Sequence, residues 1–441
     1  MRAATLPEPA QPASYPLTPE LARELRRVTP WDFPLLAAVV LLLGLGAILV
    51  YSATINEMTL ATGDGARKLK SHLAHVALGL GALAFFTYFP FRKLRPLIYP
   101  VLFGNLLLLL AVLIVGVEAG NARRWLNLAI VNFQPTELAK LVFIGFLAHS
   151  IAKKSGNIRN ILVATVPHGI IYGMIMILCM LQPDFGTSVL LLLMMFAMLF
   201  VGGTRTSLLL GLCAFAAWIA TALIMGNEMR QGRLLATFDP WSHRVGRGYQ
   251  PANSQIAIGS GELTGQGLGF GGQTLTGHLP EGENDFIISV LAEQLGAIGV
   301  ALVTVLSLLI LVRGMRIAFQ TEDPFGRLLA FGITLMLSLQ AATNMLVAVA
   351  LVPTKGLTFP FVSYGGSSML VSCAAVGMLL NISRESRWEE VRAAVPDLAD
   401  APSETPSQTA SPRQQVPGSR LARFFARFRK RKTPSVDEVL P

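Results

Sequence analysis

Ten stretches of this chain are apolar over lengths near the ~20 residues that a helix needs to cross a bilayer. They cover residues 33–53, 73–89, 97–117, 136–151, 161–181, 187–201, 207–225, 286–312, 328–352 and 368–382. Inside lipid no water is available to backbone N–H and C=O groups, so a lone spanning segment must be a helix that bonds within itself. The expected fold is an all-α polytopic membrane protein with about ten transmembrane helices. Charge content agrees: 14% of residues are charged, against about 25% in a soluble domain. The polar, Pro-rich start predicts no cleavable signal peptide. Cys179, Cys213 and Cys373 all lie in apolar runs. Without a CxxC or a Cys/His cluster they predict helix packing, not zinc or disulfides.

An even number of spans places both termini on one side. With that side inside, 25 of the 36 Lys and Arg residues fall inside and 10 outside, 4 of these in the long polar segment 227–285. The positive-inside bias therefore makes both termini cytoplasmic and puts the large loop, between the seventh and eighth spans, outside. Three regions follow: an inner tail over 1–32, a membrane domain over 33–383 and an inner tail over 384–441. From about residue 397 the last region is rich in Pro, Ser and Thr, a composition that favours disorder. Its segment 420–432, RLARFFARFRKRK, would gather Leu421, Phe424, Phe425 and Phe428 on one helix face. That face suits an anionic membrane surface; the alternative is a solvated basic tail. The net charge of +10 is mostly this tail and does not point to nucleic acid.

The large loop ends in LPEGEND, residues 279–285, and an apolar run begins at Phe286. Asp285 thus sits where water meets lipid, a depth at which a carboxylate needs a function or a partner. It is a candidate catalytic acid or base; the structural alternative is an N-cap or first-turn acid of the following helix. Arg123, Arg124 and Trp125, in the outer loop after the third span, suit a phosphate or diphosphate, or serve as interfacial anchors. Glu137 and Lys140 stand at i,i+3 in the fourth span; either they neutralise each other or Lys140 meets a lipid phosphate. Asp184 in QPDFG reads as a turn residue. In PTKGLTFPFVSYGGSS, Lys355 with Ser367 and Ser368 before a helix suits an anion. Gly265, Gly267, Gly269, Gly271 and Gly272 have no preceding strand, so a dinucleotide cradle is excluded; close backbone approach or a re-entrant piece fits better. The six histidines show no ligand spacing, and interface or surface roles are expected for them.

NARRWL, FQPTELAKL, QPDFGT, GYQ followed by GSGELTGQGLG, LPEGENDF and PTKGLTFPFVSYGGSS occur in this order between residues 33 and 387. In these motifs the chain resembles the SEDS family of membrane proteins (shape, elongation, division and sporulation). TKGL, GYQ and GSGEL resemble the division branch (FtsW) more than the elongation branch (RodA). The resemblance implies a peptidoglycan glycosyltransferase that polymerises lipid II, a disaccharide-peptide on undecaprenyl diphosphate, outside the bacterial plasma membrane and at the septum. It implies Asp285 as the essential acid and Arg124, Lys140 and Lys355 as substrate-facing cations. A divalent cation, Mg or Mn, would join them; no organic cofactor is implied. The implied partners are a class B penicillin-binding transpeptidase and other division membrane proteins. A lipid II flippase and a non-catalytic division scaffold stay open as alternatives. The chain departs from the family pattern at Glu283 and Asn284, where His-Thr is usual. An extra carboxylate there is expected to raise the pKa of Asp285.

Overall fold

The computed structural model describes residues 31–394, apart from 120–121, 128–131, 157, 159 and 355. Most of the N-terminal tail, Lys355 and the amphipathic segment 420–432 therefore lie outside the described residues. Ten long helices coincide with the ten apolar stretches: α1 Phe33–Thr62, α2 Arg67–Tyr88, α3 Leu94–Val115, α4 Pro135–Lys153, α5 Ile161–Leu181, α6 Phe185–Val201, α7 Thr206–Met225, α11 Ile287–Gln320, α12 Pro324–Ala348 and α13 Gly366–Ala394. The large loop holds three more, α8 Glu228–Phe238, α9 Tyr249–Ser260 and α10 Gly272–Leu275. Among the described residues, eight helices are long and apolar enough to cross a membrane. The other two are α6, apolar but only 17 residues long, and α4, which carries Glu137, Lys140 and His149.

The expectation of helix alone is corrected in one place. After α3 the chain forms a small antiparallel sheet, β1 Val117–Ala119, β2 Ala122–Asn127 and β3 Asn132–Phe133, in the order β1-β2-β3. Helix ends also differ from the apolar bounds. The first helix runs on to Thr62, where Gly63 closes it in the left-handed conformation. Side-chain caps mark the starts: Asp32 accepts from Leu35 N–H, Asp184 from Thr187 N–H and Asp323 from Gly326 N–H.

The last helix is the centre of the bundle. Its most apolar stretch is 89% buried, against 6% for Thr206–Met225 at the periphery. Small residues bring α2 against it, as in other membrane bundles: a β-carbon on Gly79 would stand 3.0 Å from Cys373 Sγ, and one on Gly377 would strike the Leu83 carbonyl. Polar ties sit at the far end from Asp285. Arg313 grips Asp32 with bonds of 2.7–3.0 Å. Asn381 accepts from Phe91 N–H and donates to the Thr87 carbonyl.

The long helix α11 is broken at Gly296, whose φ is 64° and ψ −164°. A break in a span strands backbone groups, which must find partners. The glycine-rich loop supplies them. Gln266 and Gly267 N–H donate to the carbonyls of Glu293 and Gln294, while Ala297 and Ile298 N–H donate to Glu262 and Leu263. The buried Glu293 carboxylate accepts from the Gln273 and Thr274 N–H groups and from Thr274 Oγ1. The loop is thereby fastened to the helix that follows Asp285.

Candidate active site

Asp285 stands two residues before Ile287, the first residue of α11. Its backbone is fixed from a neighbouring helix and loop. Tyr364 N–H donates to the Glu283 carbonyl at 2.8 Å. Ser363 Oγ donates to the Asn284 carbonyl at 2.7 Å. Asn344 Nδ2 donates to the Asp285 carbonyl at 3.1 Å and to Leu357 at 2.8 Å. Three successive carbonyls are thus held by α12 and the segment before α13. Asp285 does not cap the helix: the cap position is Phe286 and it makes no side-chain cap bond. This removes the capping alternative.

The side chain of Asp285 is half-buried. Gly356 N–H donates a hydrogen bond to it, and Arg124 and Arg233 act on it as nearby charges. A β-carbon on Gly356 would stand 3.8 Å from Asp285 Oδ2 and 4.0 Å from Arg124 Nη1. Acid, cation and a backbone donor therefore converge around an exposed glycine, where a substrate can enter from solvent. Burial pushes the carboxyl up to about 6, with the Glu281 charge adding to the rise; the Gly356 N–H and the two arginines oppose it.

The carboxylate that loads Asp285 is not the expected one. Glu283 is paired with Lys68 at 2.6 Å, and the unfavourable charge comes from Glu281. Glu281 stands four residues before Asp285 and Glu283 two, and sequence distance alone does not show which of them acts on it.

Arg123 and Arg124 part company because neighbouring strand residues face opposite ways. Arg123 is exposed and pairs loosely with Glu118 at 3.5 Å. Arg124 donates through Nε to the Gln182 carbonyl at 3.0 Å and through Nη2 to Pro183 at 2.7 Å. It therefore clasps the QPDFG turn while Nη1 reaches toward Gly356. Asp184 in that turn caps α6. Lys140 is fully buried and bonded to Glu137 at 2.7 Å, so the pair is mutually neutralised as it stands. Ser367 accepts from Gln134 N–H at 2.8 Å and donates to the Asn132 carbonyl, stitching the start of α13 to the start of α4. Ser368 accepts from Thr358 Oγ1 at 2.7 Å.

Sequence reasoning missed one group. Lys68, Ser71, His72 and His75 form a polar stripe at i, i+3, i+4 and i+7 on α2, one helix face. Tyr364 lies on it: its hydroxyl bonds Ser71 at 3.0 Å, and its ring lies 6.0 Å from His72 and 5.8 Å from His75. His72 is fully buried, not at the surface. The spacing was visible, but the second apolar stretch starts at residue 73 and cuts the stripe in two. Among the described residues no three His, Cys, Asp or Glu side chains are placed to hold a metal.

Residues 33–388 match the FtsW/RodA/SpoVE family, described as cell cycle proteins. A probable peptidoglycan glycosyltransferase FtsW of Geobacter sulfurreducens is 38% identical over 365 residues, which cover 82% of this chain and 98% of that one. The protein of the same name from Trichlorobacter lovleyi is 39% identical over 367 residues, covering 82% and 96%. The rod shape determining protein RodA of Thermus thermophilus superposes with a TM-score of 0.58 at 28% identity over 82% of this chain and 99% of its own. A chain of a peptidoglycan synthase complex, described as coordinating polymerization and crosslinking, gives 0.67 at 29% identity over 81% and 98%. By its helices, its motifs and these relatives, the chain belongs to the FtsW/RodA/SpoVE family of SEDS membrane proteins.

Proposed function

We propose that this protein is a peptidoglycan glycosyltransferase that polymerises lipid II at the outer face of the bacterial plasma membrane, for septal wall synthesis. One observation carries the reading: Asp285, Arg124 and the Gly356 N–H converge on one accessible spot. The names of the relatives support the reaction class.

The donor sugar is α-linked to diphosphate and the glycan bond is β, so the displacement inverts and needs a base opposite the leaving group. The Asp285 carboxylate takes the proton from the acceptor 4-hydroxyl. That oxygen bonds to the donor anomeric carbon as the bond to undecaprenyl diphosphate breaks. A carboxyl near 6 is ionised at neutral pH yet basic enough to assist, which matches the requirement for a general base. Diphosphate departs with its charge and needs cations more than a proton. Arg124, near Asp285 and Gly356, is the first candidate cation; Lys140, released from Glu137, and Lys355 are the further candidates. A divalent cation fits only as a companion of the diphosphate, because Asp285 and Glu281 supply at most two protein ligands, as magnesium sites with substrate phosphates allow. The neighbouring synthase structure couples polymerization to crosslinking, which supports a class B penicillin-binding transpeptidase as partner.

Purified protein given labelled lipid II, with and without the transpeptidase, tests the reading. The native chain yields glycan polymer, and Asp285→Asn loses activity by about 10² or more, the usual worth of a general base. Transfer of intact lipid II across vesicles without polymer would make the protein a flippase; full activity in Asp285→Asn would remove the acid from the mechanism.

A further inference from the structure

Glu283 replaces the usual residue of its family motif, and its surroundings explain what it does here. The carboxylate of Glu283 meets Lys68 Nζ at 2.6 Å, in a pair where both side chains are largely shielded. Its carbonyl accepts from Tyr364 N–H. Tyr364 in turn rests on Ser71, His72 and His75, the same stripe of α2 that carries Lys68. The contacts form a closed ring: Lys68 to Glu283, Glu283 to Tyr364, Tyr364 to Ser71, and back along one turn of helix to Lys68. Lys68 also meets Glu57 at the end of α1, at 3.1 Å on the solvent side. Glu283 lies two residues before Asp285, with no flexible glycine between them.

We propose that Lys68 is a positioning residue for Asp285: by gripping Glu283 it fixes the LPEGEND segment against α2 and so aims the carboxylate at the acceptor hydroxyl. The inference rests on the glycosyltransferase reading above. Lys68 touches no reacting atom; it acts through Glu283. Breaking a shielded ion pair from one side leaves the other charge uncompensated, here two residues from the base. A displacement of about 1 Å at a reacting group costs on the order of 10²-fold in rate.

The test uses the full-length purified chain in nanodiscs with labelled lipid II, alongside Asp285→Asn. Lys68→Met and Glu283→Gln are each expected to lower kcat about tenfold or more while KM for lipid II stays within about twofold. The double variant should be no worse than the poorer single one, because both remove the same tie. Lys68→Arg should restore most of kcat, and this conservative variant guards against a mere loss of fold. Hydrogen exchange gives an arm free of activity: amides over 283–286 should lose protection in Lys68→Met. Unchanged kcat in either single variant, a rise in KM alone, multiplicative losses in the double variant, or unchanged exchange would each overturn the proposal. If the native chain makes no polymer, the glycosyltransferase reading falls, and the exchange arm alone decides whether Lys68 anchors the segment.

Discussion

Asp285 is held in an environment that raises its proton affinity, and that has two measurable consequences of opposite kind. In the proposed mechanism Asp285 is the base and must be ionised, so kcat/KM should rise with pH through about 6 and level off above it. For stability the sign runs the other way. The native carboxyl binds its proton more tightly than the unfolded chain's, whose ordinary value is 3.8. Its contribution is fully present below that ordinary value and is lost as pH rises through the folded one. Asn carries no charge and escapes the loss. Asp285→Asn should therefore melt higher than the native protein at neutral pH, and the gap should close below about pH 4. Thermal unfolding across this range checks it; equal melting points at neutral pH would mean that the carboxyl is not strained. The position of Asp285 was legible in the sequence because a carboxylate at the mouth of an apolar run is costly. Its surroundings were not: Lys68 is 215 residues from Glu283 in the chain, and Gly356 enters through a backbone N–H that every residue type but proline carries.

At the scale of elements, composition located the helices but not their ends or interruptions. Spans were legible because lipid tolerates only apolar helices, whatever their neighbours. The sheet of β1, β2 and β3 lies between two spans, where composition exerts no such control, and its alternation separated Arg123 from Arg124, which look like one cluster in the sequence. The break in α11 was equally hidden, since the apolar stretch over 286–312 continues on both sides of Glu293, Gln294 and Gly296. The glycine-rich loop looked like a feature in search of a ligand, and its partner is that break. Gly296 adopts a backbone conformation that essentially only glycine accepts, and a β-carbon there would strike the Leu263 carbonyl and the Gly265 nitrogen. Gly296→Ala should destabilise the protein by about 2 kcal/mol or more, from backbone strain plus the lost strap. Thermal unfolding in detergent measures this. Limited proteolysis should show the loop over 262–278 opening first, and a native-like melting point with a protected loop would contradict the strapped break.

For the whole molecule, the arrangement of charge predicts a direction. Beyond its break at Gly296, the helix that begins beside Asp285 runs on to Gln320, on the order of 35 Å at about 1.5 Å per residue, enough to cross a bilayer. Asp285 and the far cluster of Asp32, Arg313 and Asn381 therefore lie at opposite ends of the bundle, and we expect them at opposite membrane surfaces. The excess of Lys and Arg lies on the side of the far cluster, and cytoplasmic loops carry that excess. Polymer chemistry on an exported lipid-linked sugar requires Asp285 on the other side. Both lines predict the same orientation, with Asp285 outside, and labelling tests it without any assay of activity. A cysteine at His243, exposed in the large loop, should react with a membrane-impermeant maleimide in intact spheroplasts. One at Glu322, in the turn between α11 and α12, should react only after permeabilisation. Of the native cysteines, Cys179 and Cys373 are buried and Cys213 lies on the exposed face of an apolar helix, so replacing Cys213 with Ser gives a quiet background. The reverse pattern would put the acid in the cytoplasm, where the chain could not extend a glycan outside the membrane.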